Sequence, residues 1–159
     1  MKNLILNATI LVLGILVAML LTKLDFVFGI PSFQSNLAML IGGLILAGGL
    51  FLRFWAVSLF HTRNMRVIAL GKPQPLLLKT GPYTFSRNPL YVGIGSICLG
   101  LGLIFGSISA TIFAALVFVG WDLYVRLFEE KILEKAFGAE YELYKNEVPR
   151  WFKIGFIKI

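Results

Sequence analysis

Hydrophobic residues gather into four long runs, Leu4–Leu21, Leu37–Phe60, Leu90–Phe105 and Ile108–Tyr124, with short polar stretches between them. A helix crosses the hydrocarbon core of a bilayer with about 20 apolar residues, in a usual range of about 17–25. The first, second and fourth runs reach that length. Leu90–Phe105 is a little shorter, but Pro89 gives it a clean start and Gly106–Ser107 a tight link to the next run. The last two runs therefore read as the arms of a helical hairpin. After Tyr124, Leu127, Ile132, Leu133 and Phe137 form an apolar stripe at helical spacing, so the fourth helix continues into the tail until Gly138 stops it. The pattern predicts an all-α, polytopic membrane protein of about four transmembrane helices plus a cytoplasmic C-terminal helix, as one membrane domain over residues 1–159. A signal peptide is the rival reading of Leu4–Leu21. It is weaker, because only Lys2 forms a charged leading region and no small-residue cleavage site follows cleanly.

Composition strengthens this picture. Of 159 residues, 58% are hydrophobic and 14% charged, with mean hydropathy +0.84. A soluble domain carries roughly 45–50% apolar and about 25% charged residues. Charge then sets the orientation. The loop 61–89 carries Arg63, Arg66, Lys72, Lys79 and Arg87 without an acid, and the tail 125–159 carries Arg126, Lys131, Lys135, Lys145, Arg150, Lys153 and Lys158. Only Lys23 and Asp25 stand between the first two runs, and the Gly106–Ser107 turn is uncharged. Basic loops stay on the cytoplasmic side, so the N-terminus, loop and tail are expected there, in the cell membrane. The net charge of +7 is then explained by contact with anionic headgroups. Nucleic acid binding would need a soluble basic face, and none is visible.

Several residues have a plain reading. Arg53 lies in the last third of the second run, and the interfacial reading has it stretching toward the headgroups near Trp55. With His61 as the lone histidine and Cys98 inside an apolar run, neither a metal site nor a disulfide is expected. Gly93-Ile94-Gly95 is not a nucleotide fingerprint, which needs a strand before it. Gly93, Gly95, Gly100 and Gly102 instead predict close helix packing.

The segment Gly81–Gly93 is less easily dismissed. It reads Gly-Pro-Tyr-Thr-Phe-Ser-Arg-Asn-Pro-Leu-Tyr-Val-Gly, placing polar groups and two prolines directly before an apolar helix. Such groups at a membrane edge tend to be functional, because lipid cannot solvate them. If loop and tail share a side, Tyr83, Arg87, Asn88 and Tyr91 converge with Arg126, Glu129 and Glu130 across the hairpin. Leu76, Leu77 and Leu78 would form an apolar wall of that pocket. Arg126 can also be read as a helix-surface partner of Glu129 and Glu130, at spacings of three and four. Carboxylates with aromatic rings suit a small zwitterion or cation.

The pattern Gly81-x-Tyr83-x-x-x-Arg87-Asn88-Pro89-x-Tyr91-x-Gly93, with Glu129-Glu130, Phe137-Gly138 and Tyr141-x-x-Tyr144, resembles the isoprenylcysteine carboxyl methyltransferase and phospholipid methyltransferase family. The likeness covers Gly71 to Pro149. It implies an integral-membrane enzyme that uses S-adenosylmethionine without a dinucleotide-type domain. It further implies that the cofactor is held by Pro75, Leu76, Leu77 and Leu78, by Tyr83, by the segment Asn88, Pro89, Leu90 and Tyr91 with its neighbour Arg87, and by Glu129. Arg126 is the nearest match to an arginine that meets the substrate carboxylate in the isoprenylcysteine enzymes. Asn88 departs from the histidine usual there and looks like the phospholipid branches, which leaves the methyl acceptor open.

The implied chemistry is an in-line displacement from a sulfonium, in which alignment and exclusion of water supply much of the rate. A carboxylate acceptor needs only to be held, a task for Arg126. An amine acceptor must first lose a proton, and Glu130 or Asp122 would be the base. The lipophilic acceptor would enter from the bilayer. Two other classes remain: a membrane sterol-reductase-like enzyme using NADPH, and a small four-helix transporter or scaffold.

Overall fold

The computed structural model describes residues 2–63, 65 and 75–152, with side chains from residue 8 onward. Arg66, Lys72, Pro73, Lys153 and Lys158 lie outside the described residues, and with them part of the expected loop and tail charge. The described chain is all-helical: α1 Lys2–Val27, α2 Asn36–Thr62, α3 Pro89–Phe105, α4 Ile108–Tyr124, α5 Glu130–Phe137 and α6 Ala139–Glu147. A 3-10 turn, Gly81–Thr84, precedes α3, and a π-helical turn, Val125–Glu129, joins α4 to α5 without a break.

Three stretches are long and apolar enough to cross a membrane, Ala8–Val27, Asn36–Thr62 and Ile108–Phe137. The fourth apolar helix, α3, has 17 residues, a length of about 25 Å at 1.5 Å per residue. It can be short because protein surrounds it, α2 on one side and α4 and α1 on the others. The sides of α1, α2 and α4 turned away from it expose Leu13, Leu16, Leu44, Phe51, Leu116 and Val119, as an integral membrane protein does toward acyl chains.

The α2–α3 contact rests on glycine. A Cβ at Gly49 would lie 2.7 Å from Ser96 Cβ and 2.9 Å from the Gly93 carbonyl, and one at Gly100 would lie 2.7 Å from the Gly42 carbonyl. Gly93 and Gly100 thus face α2, while Gly102 and Gly95 face Thr111 and Phe118 of α4. The packing expected of these four glycines is present, with Gly42 and Gly49 as partners that the sequence did not single out.

At one end of the bundle, the α3–α4 turn is built into the α1–α2 connection. Gly106 ends α3 with φ 59, and its Cα sits where a side chain would strike the Gln34 backbone. Phe33 N–H donates to the Gly106 carbonyl at 3.1 Å. Ser107 caps α4 by accepting from Ala110 N–H at 3.0 Å, and donates to Asp25 Oδ2 at 2.6 Å. Asp25 is therefore not a loop charge. It belongs to α1, which runs to Val27 and not to Leu21, and it is buried over the start of α4, where a negative charge faces free N–H groups. The loop before α3 and the segment after α4 meet at the opposite end, as the four-run pattern predicts.

The glycine contact yields a paired test. Gly49→Ala should cost about 1–3 kcal/mol by overpacking, whereas Gly48→Ala, with open space around its Cα, should be neutral or stabilising. Thermal unfolding of both variants in detergent measures the difference.

Candidate functional site

The site is built where the loop before α3 meets the residues after α4. Gly81 turns with φ 62 against Trp55 and Leu59 of α2, starting the 3-10 turn. Leu78 and Tyr83 then pack with Ala56, Phe60 and Met65, so the end of α2 seats the loop. Leu77 takes the other direction and packs with Tyr141, Tyr144 and Val148. The expected wall of three leucines is thus not a wall. Leu77 and Leu78 anchor the loop in two separate cores, and Leu76 is exposed beside Pro75. Apolar residues flanking a short connection gain most by burial against whatever helix lies on each side.

Tyrosines of the tail reinforce this seat. Tyr144 Oη donates to the Tyr83 carbonyl at 2.7 Å, and Tyr141 Oη accepts from Arg87 Nη1 at 3.2 Å. Burial pushes both phenols above their usual range.

Glu130 is the junction. Its Oε1 lies 2.9 Å from Arg87 Nη1, and Arg150 approaches both its oxygens through Nε and Nη2 at 2.8 Å each. The hydrogen bonds to Glu130 hold the Arg150 guanidinium above even its usual range. Around this pair, the backbone of residues 149–150 closes on the loop. Arg87 N–H donates to the Pro149 carbonyl at 3.0 Å, and Asn88 Nδ2 and Ser86 Oγ donate to the Arg150 carbonyl at 3.1 and 3.3 Å. Trp151 Nε1 adds a bond to Asp122 Oδ1 at 2.8 Å. Arg150, Trp151 and Ser86 are the participants that sequence reasoning missed. No spacing marks them, because they meet their partners only through the fold.

Arg126 departs from its expected place. It is 55% exposed and its Nε pairs with Asp122 Oδ2 at 2.7 Å, not with Glu129 or Glu130. The cause lies in the π turn, where Glu130 N–H donates to the Val125 carbonyl five residues back. The wider turn rotates the glutamates away from Arg126. Glu130 is drawn instead to the guanidiniums of Arg87 and Arg150. Its expected use as a proton acceptor does not fit this setting, since both oxygens already hold cations.

Glu129 has the other surroundings. Its Oε2 accepts from Tyr91 Oη at 2.6 Å. The Tyr91 ring stacks on Trp121 with centroids 4.6 Å apart, and Tyr124 stands edge-on to both at 6.5 and 6.0 Å. Tyr83 is buried close by. Burial raises its phenol far above the usual range, the Glu129 carboxylate adds to the rise, and the Arg53 guanidinium opposes it.

Arg53 is the second departure. It does not stretch to the headgroups but is 4% exposed, with Nη1 3.4 Å from the Leu90 carbonyl. Gly93 makes this possible, since a Cβ there would lie 2.8 Å from Arg53 Cβ. Among the described residues, four buried polar atoms have no partner: Arg53 Nε, Arg87 Nε, Trp121 Nε1 and Asp25 Oδ1. Trp121 is stacked on Tyr91, and Arg53 lies at the carbonyl of Leu90, the residue before it. A carboxylate among aromatic faces, with spare donors on these neighbours, can take a ligand that is cationic at one point and hydrogen-bond accepting at others.

A family model described as phospholipid methyltransferase matches residues 37–140, from the start of α2 into α6. The chain belongs to the phospholipid methyltransferase family. The match begins well before Gly71, so α2 and Arg53 fall within the family region. Protein-S-isoprenylcysteine O-methyltransferase of Saccharomyces cerevisiae is 33% identical over 122 residues, covering 74% of this chain and 49% of that protein. The enzyme of the same name from Schizosaccharomyces pombe is 34% identical over 76 residues, covering 46% of this chain and 31% of that protein. The chain thus spans half or less of the length of these curated relatives. No solved structure matches.

Glu129 and Glu130 have different surroundings, and the part Glu130 plays in holding the loop to residues 149–150 can be tested alone. Glu130→Gln strands two guanidiniums and should destabilise the protein by about 3 kcal/mol. It should also make the peptide bonds near Arg150 newly sensitive to limited proteolysis, seen as early cleavage in a time course against the parent protein.

Proposed function

We propose that this protein is an S-adenosylmethionine-dependent methyltransferase that methylates a lipophilic carboxylate at the cytoplasmic membrane interface. Family membership supports methyl transfer over the reductase and transporter readings. The observation that carries the cofactor reading is Glu129, bonded to Tyr91 beside the Trp121 and Tyr124 rings. When bound, S-adenosylmethionine supplies a methyl group made electrophilic by a sulfonium. Glu129 would pair its α-amino group, and the aromatic faces would lie against positive charge. Asn88 and Arg87, anchored to residues 149–150 and to Glu130, would keep the start of α3 in place under the cofactor. Pro75 and Leu76 remain as the exposed part of the loop that can meet its adenosine end.

The carboxylate acceptor is favoured by the state of the site's own acids. Glu130 is held by two arginines, and Asp122 by Arg126 and Trp151. Glu129, bonded to Tyr91, would be taken up by the cofactor's α-amino group. An amine or thiol acceptor must lose a proton, and these carboxylates are poor bases while engaged in that way. A carboxylate acceptor needs no base, only a cation to hold it. Arg126, exposed at the membrane edge with Nε on Asp122, retains its two terminal nitrogens for that purpose. The two relatives named as isoprenylcysteine O-methyltransferases favour the same acceptor chemistry.

The purified protein in detergent should bind S-adenosylhomocysteine, and Glu129→Ala should weaken that binding about tenfold or more, a loss of ~1.4 kcal/mol or greater. Unchanged binding by the variant would sink the assignment of Glu129. With labelled S-adenosylmethionine, N-acetyl-S-farnesylcysteine should become labelled and phosphatidylethanolamine should not. Label appearing in phosphatidylethanolamine alone would replace the carboxylate acceptor by an amine.

A further inference from the structure

Arg53 is a buried charge that the network around Glu130 does not use. It sits in α2, nine-tenths buried and more, at the level of the first turn of α3. Among the described residues, its one hydrogen bond is to a neutral acceptor, the Leu90 carbonyl at 3.4 Å, and its Nε has no partner. The ion pairs formed among the described residues leave it out entirely. Guanidiniums in a membrane-embedded helix are costly, and those that persist face the protein interior and mark a ligand path. Two plainer explanations fail. The side chain is buried within the protein and so does not extend from its surface, and no described carboxylate lies within ion-pair reach.

Its position is informative. Leu90, whose carbonyl it touches, is the residue before Tyr91, and Tyr91 holds Glu129. The Glu129 carboxylate and the Arg53 guanidinium both act on the Tyr83 phenol, in opposite directions. Gly93 and Gly49 clear the space for Arg53 by bringing the α2 and α3 backbones together. A buried cation on the Leu90 carbonyl and a partly buried anion on the next residue, Tyr91, form a reader for a zwitterion, and an α-amino acid is the zwitterion in which both charges belong to one end of a molecule.

We infer that Arg53 binds the α-carboxylate of the cofactor's amino-acid end, opposite Glu129 on its α-amino group. This rests on the reading of the site as an S-adenosylmethionine site. It assigns α2 a direct part in cofactor binding, and it makes the site selective for a ligand that carries both charges. The guanidinium can give a carboxylate its unpartnered Nε–H while Nη1 stays on the Leu90 carbonyl, so the backbone of α3 orients the donor.

The test compares S-adenosylhomocysteine with its decarboxylated analogue, 5′-(3-aminopropylthio)-5′-deoxyadenosine, which keeps the amine and the nucleoside. Binding is measured on the full chain in detergent, by equilibrium dialysis. The parent protein should prefer S-adenosylhomocysteine by about tenfold or more, as expected for a charge-assisted hydrogen bond made in a buried site. Arg53→Gln should lose that preference by weakening S-adenosylhomocysteine alone, and Arg53→Lys should keep part of it. A parent protein that binds both ligands equally overturns the inference without any variant. So does an Arg53→Gln protein that retains the preference, or that loses affinity only for N-acetyl-S-farnesylcysteine relative to its methyl ester. If neither adenosyl ligand binds the parent protein, the proposed function itself fails, a result distinct from binding without preference.

Discussion

The bond network centred on Glu130 is the constraint on which the site depends. One carboxylate holds Arg87, at the base of α3, and Arg150, more than a helix beyond α5. Through those two arginines it fixes the loop, the α4–α5 helix and the segment 148–152 as one body. A carboxylate shared by two guanidiniums is stable in a half-buried site only if its oxygens and their donors are well matched. Here Arg150 approaches both oxygens in its planar fork, and Arg87 takes the remaining direction with help from the Tyr141 hydroxyl. With Glu130 occupied in this way, Glu129 is the acid left to face Tyr91 and the aromatic rings. The π turn that carries the pair permits the division, because its extra width sends successive side chains to different partners.

Beneath this junction, glycine decides how closely α2 and α3 can lie. Apolar attraction adds little between helices in lipid, so contact area and backbone approach have to supply the association. Gly42 with Gly100, and Gly49 with Gly93, bring the backbones together. The same approach covers Arg53 and sets its guanidinium beside the first turn of α3. Helix packing and site construction are therefore one event. A looser α2 would let Arg53 reach the headgroups, and α3 would lose the neighbour that allows it to be short.

Much of this was legible from the chain. Four apolar runs marked four helices, with ends correct to within a few residues for α2, α3 and α4. Asp25 was misplaced because an acid ordinarily ends an apolar run, whereas here it is spent on Ser107 and the first turn of α4. Arg87 meets Glu130 and Tyr91 meets Glu129 across the hairpin, whereas Asn88 and Tyr83 are bonded to Arg150 and Tyr144, and Arg126 to Asp122. Their individual partners were not legible. Arg126 has equal spacing to Asp122 behind it and Glu130 ahead, and only the π turn breaks the tie. Leu76, Leu77 and Leu78 look alike in sequence, yet one is exposed and the other two face different cores.

By itself, then, the sequence determined the helical class, the membrane setting, the pairing of loop with tail and the residue types of the site. Those follow from local quantities: hydropathy over about 20 residues, glycine and proline punctuation, and motif spacing. Tertiary structure decided which charges are paired and which are spare. Arg150 and Trp151 became part of the site because the chain returns to Ser86, Asn88 and Asp122. Arg53 became a buried cation because two glycine-lined helices close over it. A charge's role depends on the dielectric and the partners around it, and neither is set by its neighbours in the chain.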